Sequence, residues 1–149
     1  MFMTLKQWSE NQWLRPHMTS RREIDDLLRI VDRDLADTGA DVSADWRFGI
    51  AYNAALKLCT ALLYASGYRP HRTEAHYRTL QSLALVLGSQ RQPDADYLET
   101  CRRKRNVIEY ERVGEVTYEE ADEFVAFVEQ LRRDAVGWLR RHHPELLED

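Results

Sequence analysis

Apolar residues recur at helical spacing along most of the chain, and the first clear case begins near residue 20. The segment IDDLLRIVDRDLAD carries its apolar residues on one face: Ile24, Leu27, Leu28, Val31 and Leu35. Ser20 and Glu23 precede this face with the spacing of a capping box, and Gly39 follows it as a stop signal. The pattern predicts a helix between these signals.

The next segment, SADWRFGIAYNAALKLCTALLYAS, is apolar around most of its circumference, which is typical of a central helix. Gly67 and Pro70 mark its end. A third helix is predicted for TEAHYRTLQSLALVL, and Gly88 closes it.

Two more helices are predicted in the second half of the chain. The fourth begins near Pro93, where proline suits the first helical turn, and its pattern is lost near Gly114. The fifth begins at Thr117, with Glu120 completing a second capping box, and Pro144 marks its end.

The N-terminal segment TLKQWSENQW predicts a short additional helix, and no alternating pattern is strong enough to predict a strand. Short loops between long amphipathic helices are typical of an antiparallel bundle. We therefore expect an all-α fold, an antiparallel bundle of about five helices. We expect a single domain over residues 1–149, with a short N-terminal extension over residues 1–18.

The composition is that of an ordinary globular protein, with 44% hydrophobic and 31% charged residues among 149. The net charge of −4, from 25 acids and 21 bases, argues against nucleic-acid binding driven by overall charge, so a polyanion would need a local basic patch. Cys59 and Cys101 lack CxxC spacing and are expected to be buried, reduced thiols. We see no signal peptide and no apolar run of about 18 residues, which favours a cytoplasmic protein without membrane contact.

The run RRKR, Arg102–Arg105, is the obvious basic patch, and it interrupts the apolar face of the fourth helix. At about 100° per residue, Arg105 lies roughly 40° from Cys101 and 60° from Ile108, which mark the side facing the bundle. A guanidinium remains charged there, so it must find an acid, a carbonyl oxygen or a water-filled cleft.

Tyr110 lies roughly 140° from Arg105 on the same helical wheel, and Arg102, Asn106 and Glu109 lie between them. This arc could line a polar groove, which a second copy of the helix across a two-fold axis would double. The alternative is a solvated surface, because Arg105 and Glu109, like Arg102 and Asn106, have the i, i+4 spacing of ordinary surface pairs.

Two stretches carry a resemblance to a known family. The first, AYNAALKLCTALLYASGYRPHRTEAHYRTLQSL (Ala51–Leu83), is an alanine-rich helix followed by a glycine and a histidine-containing link. The second is RRKRNVIEYERVGEVTYEEADEFV (Arg102–Val125). With their surroundings, over residues 44–140, they resemble the HEPN superfamily (higher eukaryotes and prokaryotes nucleotide-binding domain). In its signature Arg105 takes the arginine place, Asn106 the polar place and Tyr110 the place that is usually histidine.

The resemblance implies a homodimer with a shared cleft, in which family ribonucleases use the arginine and histidine to cleave RNA through attack of the 2′-hydroxyl. It implies no cofactor and no metal. By this likeness Arg105 would hold the scissile phosphate, Asn106 would orient it or the ribose, and Tyr110 would donate to a phosphate oxygen. A tyrosine, with a pKa of about 10, is a poor general base at neutral pH. Some branches of the family resemble this chain in having a tyrosine there.

Further residues complete the candidate site that the resemblance implies. Arg102 and Arg103 would follow neighbouring phosphates, and Glu109 lies within the arc. His76 is the candidate replacement for the missing histidine, the alternative being a surface or capping role. Asn53 either donates a hydrogen bond between helices or reaches the cleft. No residue spacing suggests a metal site.

Three functions remain open from the sequence. The first is a metal-independent endoribonuclease, a toxin for which a small nucleotidyltransferase-type protein could be partner and antitoxin, as the resemblance implies. The second is a non-catalytic module of the same fold that binds a nucleotide, RNA or a protein. The third is a structural helical dimer in which the charged run forms salt bridges. The sequence favours a cleft for RNA or a nucleotide.

Overall fold

The chain folds mostly as α-helix, as its apolar spacing predicts. The computed structural model describes residues 2–110 and 113–148, the side chains of residues 109 and 110 excepted, and it is 74% helical. Within these ranges the α-helices are α1 (Leu5–Glu10), α2 (Arg21–Asp37), α3 (Ala44–Ala65), α4 (Ala75–Leu87), α5 (Gln92–Tyr110) and α6 (Tyr118–His142). Short 3₁₀ turns at Ser89–Arg91 and Pro144–Leu146 precede α5 and follow α6. The predicted all-α class and the helical bundle are confirmed.

Helix α3 is the centre of the bundle. It packs against α2, α4, α5 and α6, and 13 of its 22 residues are buried. By length and composition α3 could also cross a membrane, which the sequence pattern did not indicate. However, 67% of the 18-residue stretch that meets these criteria is buried inside the bundle. The apolar circumference of α3 is explained by its place in the core.

The predicted capping boxes differ in their outcome. At α6, Thr117 Oγ accepts from the Glu120 amide at 3.1 Å and the Glu120 carboxylate accepts from the Thr117 amide at 3.3 Å, as predicted. At α2, the described contacts form half of the box. Ser20 Oγ accepts from the Glu23 amide, but the Glu23 carboxylate lies 2.6 Å from Nε2 of His17. The start of α2 is thereby tied to the N-terminal segment.

Two short antiparallel strands, β1 (Leu14–Pro16) and β2 (Tyr68–Pro70), join the start of the chain to the loop between α3 and α4. The sequence pattern predicts neither of these strands. Strands of three residues are too short to show alternation, and each of these ends in proline, which is typical of strand ends and edges. A backbone bond from the His71 amide to the Trp13 carbonyl, 3.1 Å long, extends the pairing.

A second, smaller core lies beneath the N-terminal segment. Trp8 and Leu14 are buried against Leu63 of α3. The guanidinium carbon of Arg78, on α4, lies 3.9 Å from the ring centroid of Trp13, a cation–π contact. The predicted N-terminal extension is therefore packed on the bundle.

Leu14→Ala is expected to lower the free energy of unfolding by about 2–5 kcal/mol, because removing a side chain that is 1% exposed leaves a cavity against α3. Urea unfolding followed by tryptophan fluorescence measures this change. Arg15→Ala, an exposed neighbour on the same strand, should change the free energy by less than about 0.5 kcal/mol. Equal stability of the Leu14→Ala protein and the wild type would contradict this packing.

Candidate functional site

A groove of about 620 Å³ runs between the first half of α3 and the second half of α5. We name it the α3–α5 groove. Its walls carry residues of three helices: Asp34 of α2, Trp46, Ile50 and Asn53 of α3, and Arg105 and Ile108 of α5. The groove therefore brings together two of the predicted site residues, Arg105 and Asn53.

Arg105 is half-buried at the edge of the core, in agreement with its place on the helical wheel. Its guanidinium carbon lies over the ring of Tyr52, 5.3 Å from the ring centroid. A cation at this distance is attracted to the negative face of an aromatic ring, which offsets part of the cost of removing it from water. Arg105 can therefore stay charged beside the apolar stripe while it lines the groove.

The Tyr52 ring that supports Arg105 belongs to the core and is 2% exposed. Its hydroxyl has no hydrogen-bond partner among the described residues. Burial raises the pKa of Tyr52 to about 12, although the positive charges of Arg102 and Arg105 oppose this rise. The phenol is therefore neutral at physiological pH and presents an uncharged ring to Arg105.

Asn53 both bonds between helices and lines the groove, the two roles that the sequence left open. Its Nδ2 donates to Oδ2 of Asp34 at 2.6 Å, which joins α3 to α2. Asp34 is 5% exposed, and its other carboxylate oxygen accepts from Nη2 of Arg33 at 3.0 Å. Both oxygens of this buried carboxylate therefore have donors, which reduces the cost of its burial.

Part of the groove wall is apolar and exposed. Trp46, in the first turn of α3, is 64% exposed, and Val113, beyond α5, is 87% exposed. Ile50 and Ile108 continue the apolar lining and are half-buried. The groove thus combines an accessible indole with a cation that lies over a core aromatic ring.

A second depression of about 400 Å³ lies at the start of α4, and we name it the α4 notch. Three side chains that can carry positive charge line it: Arg72, His76 and Arg102. The His76 side chain is exposed, but its partial desolvation lowers its pKa, and the positive charges of Arg105, Lys57 and Arg102 lower it further. Positive groups of α3 and α5 therefore lie within electrostatic reach of an imidazole on α4.

Three cations of the basic run have acidic partners. Nε and Nη2 of Arg102 donate to the two carboxylate oxygens of Glu99 at 2.5 and 2.9 Å, and this pairing raises the pKa of Arg102. Arg103 Nε lies 3.3 Å from the same carboxylate, although the Arg103 side chain is 75% exposed. Lys104 pairs with Glu120 of α6. The surface-pairing interpretation therefore describes these three residues: Arg102 pairs with Glu99 rather than with Asn106, and Arg103 pairs with Glu99 at the i, i+4 spacing. The expected pair of Arg105 with Glu109 lies outside the described residues, because the Glu109 side chain does.

The remaining predicted residues lie elsewhere. Asn106 is half-buried on α5, and neither Asn106 nor Arg103 is among the described residues that line the groove or the notch. The side chains of Glu109 and Tyr110 lie outside the described residues, so their roles stay predictions.

Sequence reasoning missed several residues that shape the two depressions. A usable signal exists in α3, where four residues at i, i+3, i+4 and i+7 share one face that includes a glycine and an amide: Trp46, Gly49, Ile50 and Asn53. Lys57 follows Asn53 at i+4 on the same helix. Asp34 and Arg72 carry no such signal, because they lie on α2 and in the link before α4 and reach the depressions only through the packing of the helices.

Comparisons of the chain with models of known protein families, with curated proteins and with solved structures find no match. Among the residues that the structure describes, no three histidine, cysteine, aspartate or glutamate side chains are grouped so as to hold a metal ion. Inference about function therefore depends on the chemistry of the groove and the notch.

His76→Gln is expected to reduce the loss of stability on acidification. Because the pKa of His76 is lowered in the folded chain, the unfolded chain takes up this proton first as the pH falls through the usual imidazole pKa of about 6.5. His76 therefore lowers the free energy of unfolding below that pH and has no such effect above it. Urea unfolding at about pH 7.5 and 5.5 should show a smaller difference for the variant than for the wild type. If the free energy of unfolding changes equally between the two pH values in the variant and the wild type, the positive charges do not act on His76 as described.

Proposed function

We propose that this chain is a HEPN-like helical protein whose α3–α5 groove binds single-stranded RNA, with Arg105 on a phosphate. The observation that carries the proposal is the Arg105 guanidinium above the buried Tyr52 ring, in a groove that also contains the exposed Trp46. An arginine can donate to two phosphate oxygens at once, and these bonds are stronger where water is partly excluded.

The arrangement of the helices supports the family part of the proposal. The first stretch that resembles HEPN forms most of α3 and the first part of α4, and the second forms the end of α5 and the start of α6. Helix α3 packs against α4, α5 and α6. A homodimer and a nucleotidyltransferase-type partner belong to the same proposal. The exposed Val113 at the groove is apolar surface that a second copy would cover.

The charges in the groove indicate how a nucleotide would lie. Arg105 attracts a phosphate, whereas Asp34 and Asp45 in the same groove disfavour one near them. Trp46 follows Asp45 in the chain, and an exposed indole can stack on any base. The phosphate would therefore lie at α5 and the base near the start of α3, and recognition would depend little on base identity.

Arg105→Ala is expected to weaken the binding of a labelled oligouridylate of about ten nucleotides by about 10- to 100-fold, because charge-assisted hydrogen bonds contribute about 1.5–3 kcal/mol. Fluorescence anisotropy at low salt measures the affinity. Arg133→Ala removes an exposed cation from α6, away from the groove and the notch, and should bind as the wild type does. Sedimentation and melting temperature show whether either variant changes assembly or folding. Wild-type affinity in a folded Arg105→Ala protein would refute the proposed role of Arg105.

A second candidate function is metal-independent cleavage of RNA, and the environment of His76 favours it. The lowered pKa keeps this imidazole neutral near pH 7, so it can accept a proton within electrostatic reach of Arg105. The imidazole would take the proton of a ribose 2′-hydroxyl, whose oxygen attacks the adjacent phosphorus. The 5′-oxygen would leave with a proton from solvent, and a 2′,3′-cyclic phosphate would form. Arg105 would stabilise the negative charge of the transition state.

If this second candidate is correct, the purified chain cuts single-stranded RNA in the presence of EDTA and releases 2′,3′-cyclic phosphate ends that mass spectrometry detects. His76→Gln and Arg105→Ala should each lower the cleavage rate at least about 100-fold, while Arg133→Ala keeps the wild-type rate. RNA that binds but stays intact with the wild-type protein would exclude the endoribonuclease and leave the binding function.

A further inference from the structure

We propose that the α4 notch is a second phosphate-binding site, so that an RNA strand extends from the α3–α5 groove, over Arg105, into the notch. This inference rests on the RNA-binding function proposed above and defines its ligand as a strand rather than a mononucleotide.

The notch concentrates positive charge in a chain whose net charge is −4. Arg72, just before α4, and Arg102, on α5, line it together with His76. Lys57 of α3 lies close enough for its charge to act on His76. Like charges brought together in this way raise the free energy of the folded chain, and a bound phosphate would lower it.

The acids near the notch already have cationic partners. Glu99 accepts the two hydrogen bonds of Arg102 and lies 3.3 Å from Arg103. Glu74, which also lines the notch, lies 3.7 Å from Nη2 of Arg78. The pairing with Glu99 uses Nε and Nη2 of Arg102 and fixes the orientation of the guanidinium, so that its Nη1 is the donor for a phosphate. These acids leave the notch with an excess of positive charge.

Arg105 connects the two depressions. It lines the α3–α5 groove, and Arg102, three residues before it on the same face of α5, lines the notch. The charge of Arg105 also acts on the imidazole of His76 in the notch. A strand that places one phosphate at Arg105 can therefore place a neighbouring phosphate in the notch, whereas a mononucleotide carries a phosphate for one of them only. Tyr77, on the wall of the notch, adds an aromatic ring that can stack on a base.

The test compares two probes on the same variants. The probes are an oligouridylate of about ten nucleotides and uridine 5′-monophosphate, and the variants are Arg72→Ala, Lys57→Gln and their combination. The double variant should bind the oligouridylate at least about tenfold more weakly. The slope of log affinity against log salt should fall by about 1.4, because each phosphate contact on a single strand contributes about 0.7. Binding of uridine 5′-monophosphate should stay unchanged, because the groove is intact.

Two controls separate this inference from the function on which it rests. Arg105→Ala should weaken the binding of both probes, and the double variant Arg29→Ala/Arg133→Ala, which removes two exposed cations away from the groove and the notch, should weaken neither. If the Arg72/Lys57 double variant is unfolded by its melting temperature, the exposed Arg72→Ala variant alone should lower the slope by about 0.7.

The outcomes are distinct. Wild-type affinity and slope for the oligouridylate in the folded double variant, or in folded Arg72→Ala, would overturn the second site and leave the groove proposal standing. A wild-type protein that binds neither probe would overturn both proposals.

Discussion

The contact between the Arg105 guanidinium and the Tyr52 ring is the interaction on which the site depends. An arginine in the apolar stripe of a helix must either turn away from the core or find a group that compensates for lost hydration. A neutral, buried aromatic ring is such a group, because its negative face attracts the cation. Because Tyr52 lies on the central helix α3, the position of Arg105 is tied to the middle of the bundle.

Arg105 lies between two depressions of different chemistry. On the side of the α3–α5 groove, Asp34 and Asp45 accompany an apolar wall, and Asn53 and Arg33 donate to the buried Asp34 carboxylate. On the side of the α4 notch, most of the charged groups are cations. The net charge of the chain conceals this division, because a local field depends on where charges lie rather than on their sum.

The helices and the orientation of Arg105 could be predicted because both follow from spacing along one segment. The capping box at Thr117, the central place of α3 and the bundle-facing position of Arg105 all depend on residues within a few turns of each other. The strand pair β1–β2 could not be predicted, since strands of three residues have almost no period. The family likeness and the role of Tyr110 stay predictions.

The site itself was predictable only in part, for the same reason. Arg105 and Asn53 could be named because each lies on a strongly patterned helix. Asp34 and Arg72 belong to α2 and to the link before α4, and nothing in their local sequence indicates that they line the groove and the notch. Lys57 follows Asn53 by four residues on α3, but the spacing does not show that its charge acts on His76. Their positions depend on how the helices pack, which a periodicity does not describe.

The pairing of β1 with β2 links the beginning of the chain to the chemistry of α4. The His71 amide donates to the Trp13 carbonyl at 3.1 Å, so the residue immediately before Arg72 is anchored by N-terminal backbone. Local unfolding of the β1–β2 pair would free the loop that carries Arg72 and move this cation away from the notch. By thermodynamic linkage, any anion that binds Arg72 in the notch would in turn stabilise the pairing of β1 with β2. Protection of amide hydrogens near Trp13 would then report on whether the α4 notch is filled.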